Sequence, residues 1–185
     1  MNMMSIVIIN SNSPWYESHY HYKDALLEKE WTEGFLKNWG FPAGLSALGN
    51  LSEELVGLRS LLVEAIDAII AGEELPQELF DKMNRYLNGS SMVYEVRGKD
   101  RKYQLSLIPQ KRDLGYLLSK ITASFVQMIS EQDTTRFKRC ENPDCRSVFY
   151  DSSKNQARKW CCNTCSSLIK VRRHREKQKS NSIDL

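Results

Sequence analysis

The first 139 residues of this 185-residue chain contain no cysteine, and the whole chain has only nine glycines, five prolines and three histidines. The N-terminal part also lacks a Gly-x-Ser-x-Gly motif, a phosphate-binding glycine loop and a His-Glu-x-x-His motif. These absences exclude the common catalytic constellations, so we expect no enzyme. The rival expectation is an active site among the aromatic residues of this part.

Long apolar runs are also missing. No segment approaches the roughly 18 apolar residues that span a bilayer, and the first residues have no basic region of the kind that opens a signal peptide. We therefore expect a cytoplasmic protein without a membrane partner. Clustered cysteines in that compartment are more often metal ligands than disulfides.

All five cysteines lie near the C-terminus. Four residues separate Cys140 from Cys145, and fifteen residues separate that pair from Cys161, Cys162 and Cys165. This spacing predicts one structural zinc ion held by four thiolates, which leave no open position for catalysis. The second pair is either Cys161 with Cys165 or the tighter pair Cys162 with Cys165.

The segment around the cysteines suggests a strand at Val148-Phe149-Tyr150, a turn from Asp151 to Asn155, and a return at Arg158-Lys159-Trp160. A helix is expected to begin between Asn163 and Ser166. This order resembles treble-clef fingers, several of which carry an aromatic residue followed by Cys-Ser-x-x-Cys. On that resemblance we assign Cys140, Cys145, Cys161 and Cys165 to the zinc.

A strongly basic segment follows the last cysteine. Residues 1–135 contain 13 Lys and Arg against 18 Asp and Glu, whereas residues 136–185 contain 13 against 5. An acidic body with a basic end predicts a nucleic-acid partner, and Leu168 and Val171 are expected to pack on the finger. The residues predicted to bind DNA are Lys170, Arg172, Arg173, His174, Arg175, Lys177 and Lys179. The alternative is a protein-interaction module that grips an acidic partner.

The N-terminal part has mainly helical periodicity. Ile6 to Ile9 could be a strand or an extended segment. The predicted helices run from Asp24 to Trp39 with the stripe Leu27, Trp31, Phe35, Leu36 and Trp39, from a cap at Asn50 or Ser52 to Gly72, from Pro76 to Leu87, and from a cap at Asp113 to about Asp133. The aromatic stripe is either core packing or the lining of a ligand pocket.

A change of period predicts a β-hairpin within 92–108. Apolar and polar residues alternate over 92–97 and over 102–108, with Gly98-Lys99-Asp100 between the two segments. Because a lone hairpin is only marginally stable, we expect it to lie against the helices.

Upstream, His19 and His21 stand in the aromatic segment 15–22, where they are either metal ligands or part of an aromatic packing segment.

The chain resembles bacterial proteins that join an N-terminal ABATE domain to a C-terminal CGNR zinc finger and are regarded as stress-induced transcription regulators. The finger carries the resemblance, and the residues that match are Arg139-Cys140, Cys145, Phe149-x-Asp151-x-Ser153, Arg158-x-Trp160-Cys161, Cys165 and Ile169-Lys170-Val171-Arg172-Arg173-His174-Arg175. Weaker echoes are Ile9-Asn10-Ser11, Phe35-Leu36-x-x-Trp39-Gly40, Leu58-Arg59 and Asn84.

The resemblance implies a mainly helical domain over 1–135 that senses a small molecule, a finger with a basic helix over 136–180, and a tail over 181–185. The alternative role that we expect for the helical domain is to form a homodimer. It also implies DNA binding and regulation of transcription. In one respect the chain departs from the family: Cys165-Ser166-Ser167-Leu168 stands where Cys-Gly-Asn-Arg gives the family its name. Any DNA contact of that arginine is therefore missing.

Overall fold

The structure is a computed structural model that describes residues 3–13 and 24–181. It is mainly helical with a C-terminal cysteine cluster, as predicted, and it has two small antiparallel hairpins. The helices are α1 (Met4–Ile9), α2 (Lys29–Asn38), α3 (Leu51–Ala71), α4 (Gln77–Leu87), α5 (Leu114–Glu131) and α6 (Asn163–Asn181). The strands are β1 (Met92–Lys99), β2 (Lys102–Pro109), β3 (Phe137–Arg139) and β4 (Val148–Tyr150).

The central helices of the body are α3 and α5. Leu55, Leu58 and Leu62 of α3 are fully buried, as are Leu117 and Ile121 of α5, so one apolar face of each helix lies in the core. At the start of α5 the Asp113 carboxylate accepts the Tyr116 N–H at 3.0 Å, which confirms the predicted cap. Gly72 ends α3 in the left-handed conformation, with φ at 78°.

The first apolar run is helical, so the expectation of a strand or an extended segment over Ile6 to Ile9 is wrong. Met4 and Ile8, four residues apart, are both buried, and α1 packs against α3 and α5. A four-residue apolar run fits either period. Here the two neighbouring helices decide the outcome, because only a helix presents Met4, Ile8 and Ile9 to them together.

The helix predicted from Asp24 begins later, at Lys29. A 3-10 turn at Ala25–Leu27 precedes it, and extended backbone at Glu28 separates the two. As a result Leu26 is buried and Leu27 is exposed, so the expected place of Leu27 in the apolar stripe is wrong. In α2 itself, Trp31 and Phe35 stack with ring centroids 5.4 Å apart, and the stripe is core packing. Residues 15–22, with His19 and His21, lie outside the described residues.

The hairpin β1–β2 projects from the body. Its strands pair from Met92 with Pro109 to Lys99 with Lys102, and the two-residue turn has positive φ at Asp100 and Arg101, as a type I′ turn requires. The turn is therefore one residue later than the sequence suggested. The expectation that the hairpin lies against the helices is also wrong, since most of its apolar side chains are exposed.

Close backbone contact fixes the base of the hairpin. A Cβ added to Gly115 at the start of α5 would lie 2.1 Å from the Gly89 carbonyl oxygen after α4. Ser119 also donates to the Leu87 carbonyl at 3.2 Å. The segments that lead into and out of the hairpin are thus held together, while the strands beyond them extend away.

The second hairpin joins the cysteine-rich segment to the body. The predicted strand at 148–150 is β4, but its partner is β3, which precedes the first cysteine; the return at Arg158 to Trp160 is not a strand. Phe137 and Val148 are buried in the main core, and that burial favours pairing at this place.

The domain boundary between residues 135 and 136 stays a prediction. In the described parts, 3–13 and 24–181, we find no helix with the length and apolarity that a membrane span requires.

A buried ion pair holds three distant segments of the body together. Arg59 of α3 is buried and donates to both carboxylate oxygens of Asp24, one at 2.5 Å. It also donates to the Ser11 hydroxyl at 2.9 Å, and that hydroxyl donates to the Ile8 carbonyl. Partial burial opposes ionisation of Asp24, but the hydrogen bonds and charge of Arg59 lower the pKa of this carboxyl overall.

Replacing Arg59 with Met should lower the free energy of unfolding by about 2 kcal/mol, because it leaves a partly buried carboxylate without its charged donor. Since the folded-state pKa of Asp24 lies below its unfolded value, the pair stabilises the protein above about pH 4 and this contribution is lost as the pH falls further. Urea titrations should therefore show a difference between variant and wild type that shrinks in acid. Arg85→Met, at an exposed arginine, is the control and should change stability by less than about 0.5 kcal/mol.

Candidate metal centre

Four cysteines meet in one small cluster beside β3 and β4. The sulfur atoms of Cys140, Cys145, Cys161 and Cys165 all lie within 4.8 Å of one another. Sulfurs around a tetrahedral zinc ion, each about 2.3 Å from the metal, are about 3.8 Å apart. Two of the spacings, 3.5 Å from Cys145 to Cys161 and 3.8 Å from Cys161 to Cys165, match that size, and the donor set is entirely sulfur.

The structure distinguishes Cys161 from Cys162 as a candidate ligand. Cys161 is half-buried within the cluster, whereas Cys162 is exposed and not one of the four that converge. The Cys162 sulfur is 3.8 Å from the Cys161 sulfur, so it lies beside the site. The arrangement therefore favours the assignment of Cys140, Cys145, Cys161 and Cys165 over the tighter pair of Cys162 with Cys165.

Ionisation of Cys145, Cys161 and Cys165 is strongly interdependent. The hydrogen bond with Cys161 lowers the pKa of Cys145 to about 4, and the same contact raises the pKa of Cys161 far above its ordinary value. Burial raises the pKa of Cys165 to about 12. One thiolate forms easily, and its negative charge disfavours ionisation of the next thiol. A divalent cation would compensate that charge and so favour the thiolate form of all its ligands. Four thiolates would also complete its coordination, so the zinc would hold the fold and activate no water.

Polar groups around the sulfurs orient them. The fully buried Asn142 directs its amide nitrogen at the Cys165 sulfur at 3.4 Å, and the Cys161 N–H donates to the Cys140 sulfur at the same distance. The Asn142 carbonyl accepts the N–H groups of Cys145 and Arg146. Asn142 therefore shapes the loop between the first two ligands and also contacts a ligand from the second pair.

Asp151 organises the loop that connects the two cysteine pairs. It is fully buried. One carboxylate oxygen accepts the N–H and hydroxyl of Ser153 at 2.9 and 2.6 Å, and the other accepts the Arg158 N–H at 2.9 Å and the Lys138 ammonium at 2.7 Å. The Lys138 hydrogen bond is the largest cause that keeps the pKa of Asp151 well below its usual range. A single carboxylate thus ties β3 to both ends of the loop.

Arg158 supports the second cysteine pair. Its guanidinium lies 5.1 Å from the centre of the Phe149 ring. It also donates to the carbonyl of Trp160 at 2.8 Å and to the carbonyl of Cys161. Phe149, Asp151, Ser153 and Arg158 are among the residues that carry the resemblance to the family, and these contacts show that they hold the loop of the finger in place.

The first residues of the chain are bonded to the finger. The buried Asn10 side chain donates to the Val148 carbonyl at 2.9 Å and accepts the Val148 N–H at 2.8 Å, so it pairs with β4 as a strand would. Ser13 donates to the Cys145 carbonyl at 2.8 Å. On the other side, Arg139 makes two hydrogen bonds to the Asp67 carboxylate in α3, at 2.5 and 2.8 Å.

Helix α6 begins at the cluster and carries the residues predicted to bind DNA. Cys165 is its third residue, and from Lys170 onward every described side chain is exposed. Those described are Lys170, Arg172, Arg173, His174 and Arg175; the side chains of Lys177 and Lys179 lie outside the described part. Arg172 donates to the Asp144 carboxylate at 2.5 Å, so the loop between Cys140 and Cys145 holds the helix two turns beyond Cys165.

The expected packing of Val171 on the finger is wrong. Val171 is 47% exposed, while Leu168 is half-buried. Leu168 and the Arg172–Asp144 pair hold the first three turns of α6 to the finger, and the described side chains beyond them are exposed. The later turns are therefore left to solvent or to a partner.

The family model of the CGNR zinc finger matches residues 136–178. This segment is a CGNR zinc finger. The expectation of a single structural zinc site is confirmed with it, since the four converging cysteines all lie inside the matched segment. No curated protein matches the chain. The match holds although Ser166, Ser167 and Leu168 occupy the positions of the family's Gly-Asn-Arg.

Sequence reasoning missed several residues that build the site. Asn142 has a weak signal, because an asparagine between two ligands often shapes a turn. Asp144 could not be identified as the partner of Arg172, since 28 residues separate them. Asn10 and Ser13 lie more than 130 positions from the residues that they bond, and only tertiary structure reveals those contacts.

Cys162→Ser should keep one zinc ion per chain, whereas Cys161→Ser should lose it, because only Cys161 converges with the other three sulfurs. Elemental analysis of purified protein measures the zinc content, with the wild type as reference. Zinc lost from Cys162→Ser and kept in Cys161→Ser would overturn the assignment.

Asn142→Ala should weaken zinc binding roughly tenfold, the lower end of the usual cost of losing a side chain that contacts a metal ligand. Competition with a chromogenic chelator measures the affinity. Asn155→Ala is the matched control, since Asn155 lies exposed in the loop of the same finger and should leave the affinity unchanged. Equal affinities of the two variants would contradict the role of Asn142.

Proposed function

We propose that the chain is a cytoplasmic, DNA-binding transcription regulator of bacteria, in which the finger presents α6 to duplex DNA. The observation that carries the proposal is an exposed cationic helix whose first turn is fixed by the four-cysteine cluster. Residues 170–179 contain six Lys and Arg against one Glu. In the described ranges, 3–13 and 24–181, no carboxylate pairs with Lys170, Arg173 or Arg175.

The helix would act first on phosphates. Helical spacing places Lys170, Arg173 and His174 on one face, and Arg172 and Arg175 on another. Phosphate contacts of this kind supply affinity that falls with salt and carry little sequence information. Base recognition needs a guanidinium free to enter a groove. Because Arg172 already bonds Asp144, Arg175 is the better candidate reader.

The helical body offers a place for the proposed small-molecule sensing. A cleft of about 510 Å³ lies between α3, α4 and α5. Its walls combine Leu61 and Leu118 with the polar groups of Arg85 and Tyr86, a mixture typical of ligand pockets. This supports a ligand-binding role for the body, and the expectation that the chain is not an enzyme stays a prediction.

Binding to a short duplex should weaken linearly with the logarithm of salt concentration. Replacing Lys170 and Arg173 together with Gln should reduce that slope by about 1.8, since each phosphate contact contributes about 0.9. Fluorescence anisotropy over a salt series measures both. The double control Arg85→Gln with Arg112→Gln removes two exposed charges from the body and should leave the slope unchanged.

Two outcomes would contradict the DNA proposal: no binding at low salt, or binding that salt does not affect. If the chain binds an acidic protein instead, the zinc-loaded wild type should fail to bind the duplex at low salt. Zinc content, measured for each variant, separates a lost contact from a lost fold.

A further inference from the structure

The projecting hairpin has one face made entirely of apolar residues. Cross-strand pairs bring Tyr94 opposite Leu107 and Val96 opposite Leu105, and Tyr103 lies opposite Gly98. These five side chains, which we call the apolar hairpin face, are each 55–80% exposed. The Tyr103 ring covers Gly98, where an added Cβ would lie 2.9 Å from a ring carbon.

The opposite face of the hairpin is different. It carries Glu95, Arg97, Gln104 and Ser106, and Glu95 forms an ion pair with Arg97. At the base of this face Val93 pairs with Ile108. Beyond that pair, polar side chains point to one side of the ribbon and apolar ones to the other, which is the pattern of a sheet that is covered on one face. In the described ranges, no helix supplies that cover.

From this face we infer that two copies of the chain associate through their hairpins, apolar face against apolar face. The five side chains expose on the order of 600 Å² together, at the upper limit of the patches that monomers leave in water. Two such faces would bury about 1,200 Å², which reaches the lower bound of stable interfaces. The area is therefore sufficient for a dimer without help from other elements.

Charge also favours a second copy in an antiparallel arrangement. The apolar hairpin face has no ionisable carboxylate or ammonium group, so a two-fold axis through it brings no like charges together. The tip of the hairpin carries Lys99, Asp100, Arg101 and Lys102 and is net positive. Antiparallel packing places the two tips at opposite ends, where they do not repel. A nucleic acid would instead need cations on the face itself.

The dimer requires no DNA, so its test is independent of the proposed function. Sedimentation velocity of the full-length, zinc-loaded chain over a micromolar dilution series should show a monomer–dimer equilibrium. Leu105→Lys, at the centre of the face, should weaken association roughly 100-fold, as a charge placed at the core of an interface does. Gln104→Lys adds the same charge to the opposite face of the same strand and should leave association unchanged.

A wild type that remains monomeric over the series would overturn the proposal, and so would a Leu105→Lys variant that dimerises as the wild type does. Hydrogen exchange gives a second test that needs no variant. Amides of 92–109 in the wild type should become more protected as concentration rises, and protection that does not depend on concentration would equally refute the dimer.

Discussion

The finger depends on four sulfur atoms that converge within 4.8 Å of one another. Without a cation, ionisation of Cys161 and Cys165 is opposed, because contact with Cys145 raises the pKa of Cys161 and burial raises the pKa of Cys165. With zinc the same crowding becomes a closed coordination shell. Cys140 and Cys145 lie in the loop between β3 and β4, Cys161 lies just before α6, and Cys165 lies in its first turn. One ion would therefore tie this loop to the start of the basic helix.

The structure of the finger was predicted from the sequence more accurately than that of the body. Cysteine spacing predicted the metal and narrowed its ligands to two sets, because metal coordination restricts both residue type and separation. Apolar periodicity predicted α3 to α5 well, since their stripes are long. It failed for α1, where four apolar residues fit two periods, and for the start of α2, where the Asp24–Arg59 pair fixes a separate turn. Those outcomes depend on distant partners.

The finger is bonded to the body and not merely tethered to it. Asn10 pairs with β4, Arg139 binds Asp67 in α3, and Phe137 and Val148 complete the main core. The direction of α6 relative to the body is therefore set by buried contacts as well as by the metal. Loss of zinc would loosen α6 first, because the Arg172–Asp144 pair and the half-buried Leu168 would then have to hold it, while β3 and β4 would keep their apolar neighbours.

The apolar hairpin face and the basic helix α6 lie on different elements of the fold. The apolar hairpin face lies on the segment between α4 and α5, whereas the finger packs against α1 and α3. An assembly through the hairpins would thus leave α6 accessible in both copies. A single helix with a few phosphate contacts binds weakly at physiological salt. Two helices in one assembly would bind cooperatively, since engagement of the first raises the effective concentration of the second; the hairpin would then strengthen DNA binding without touching DNA.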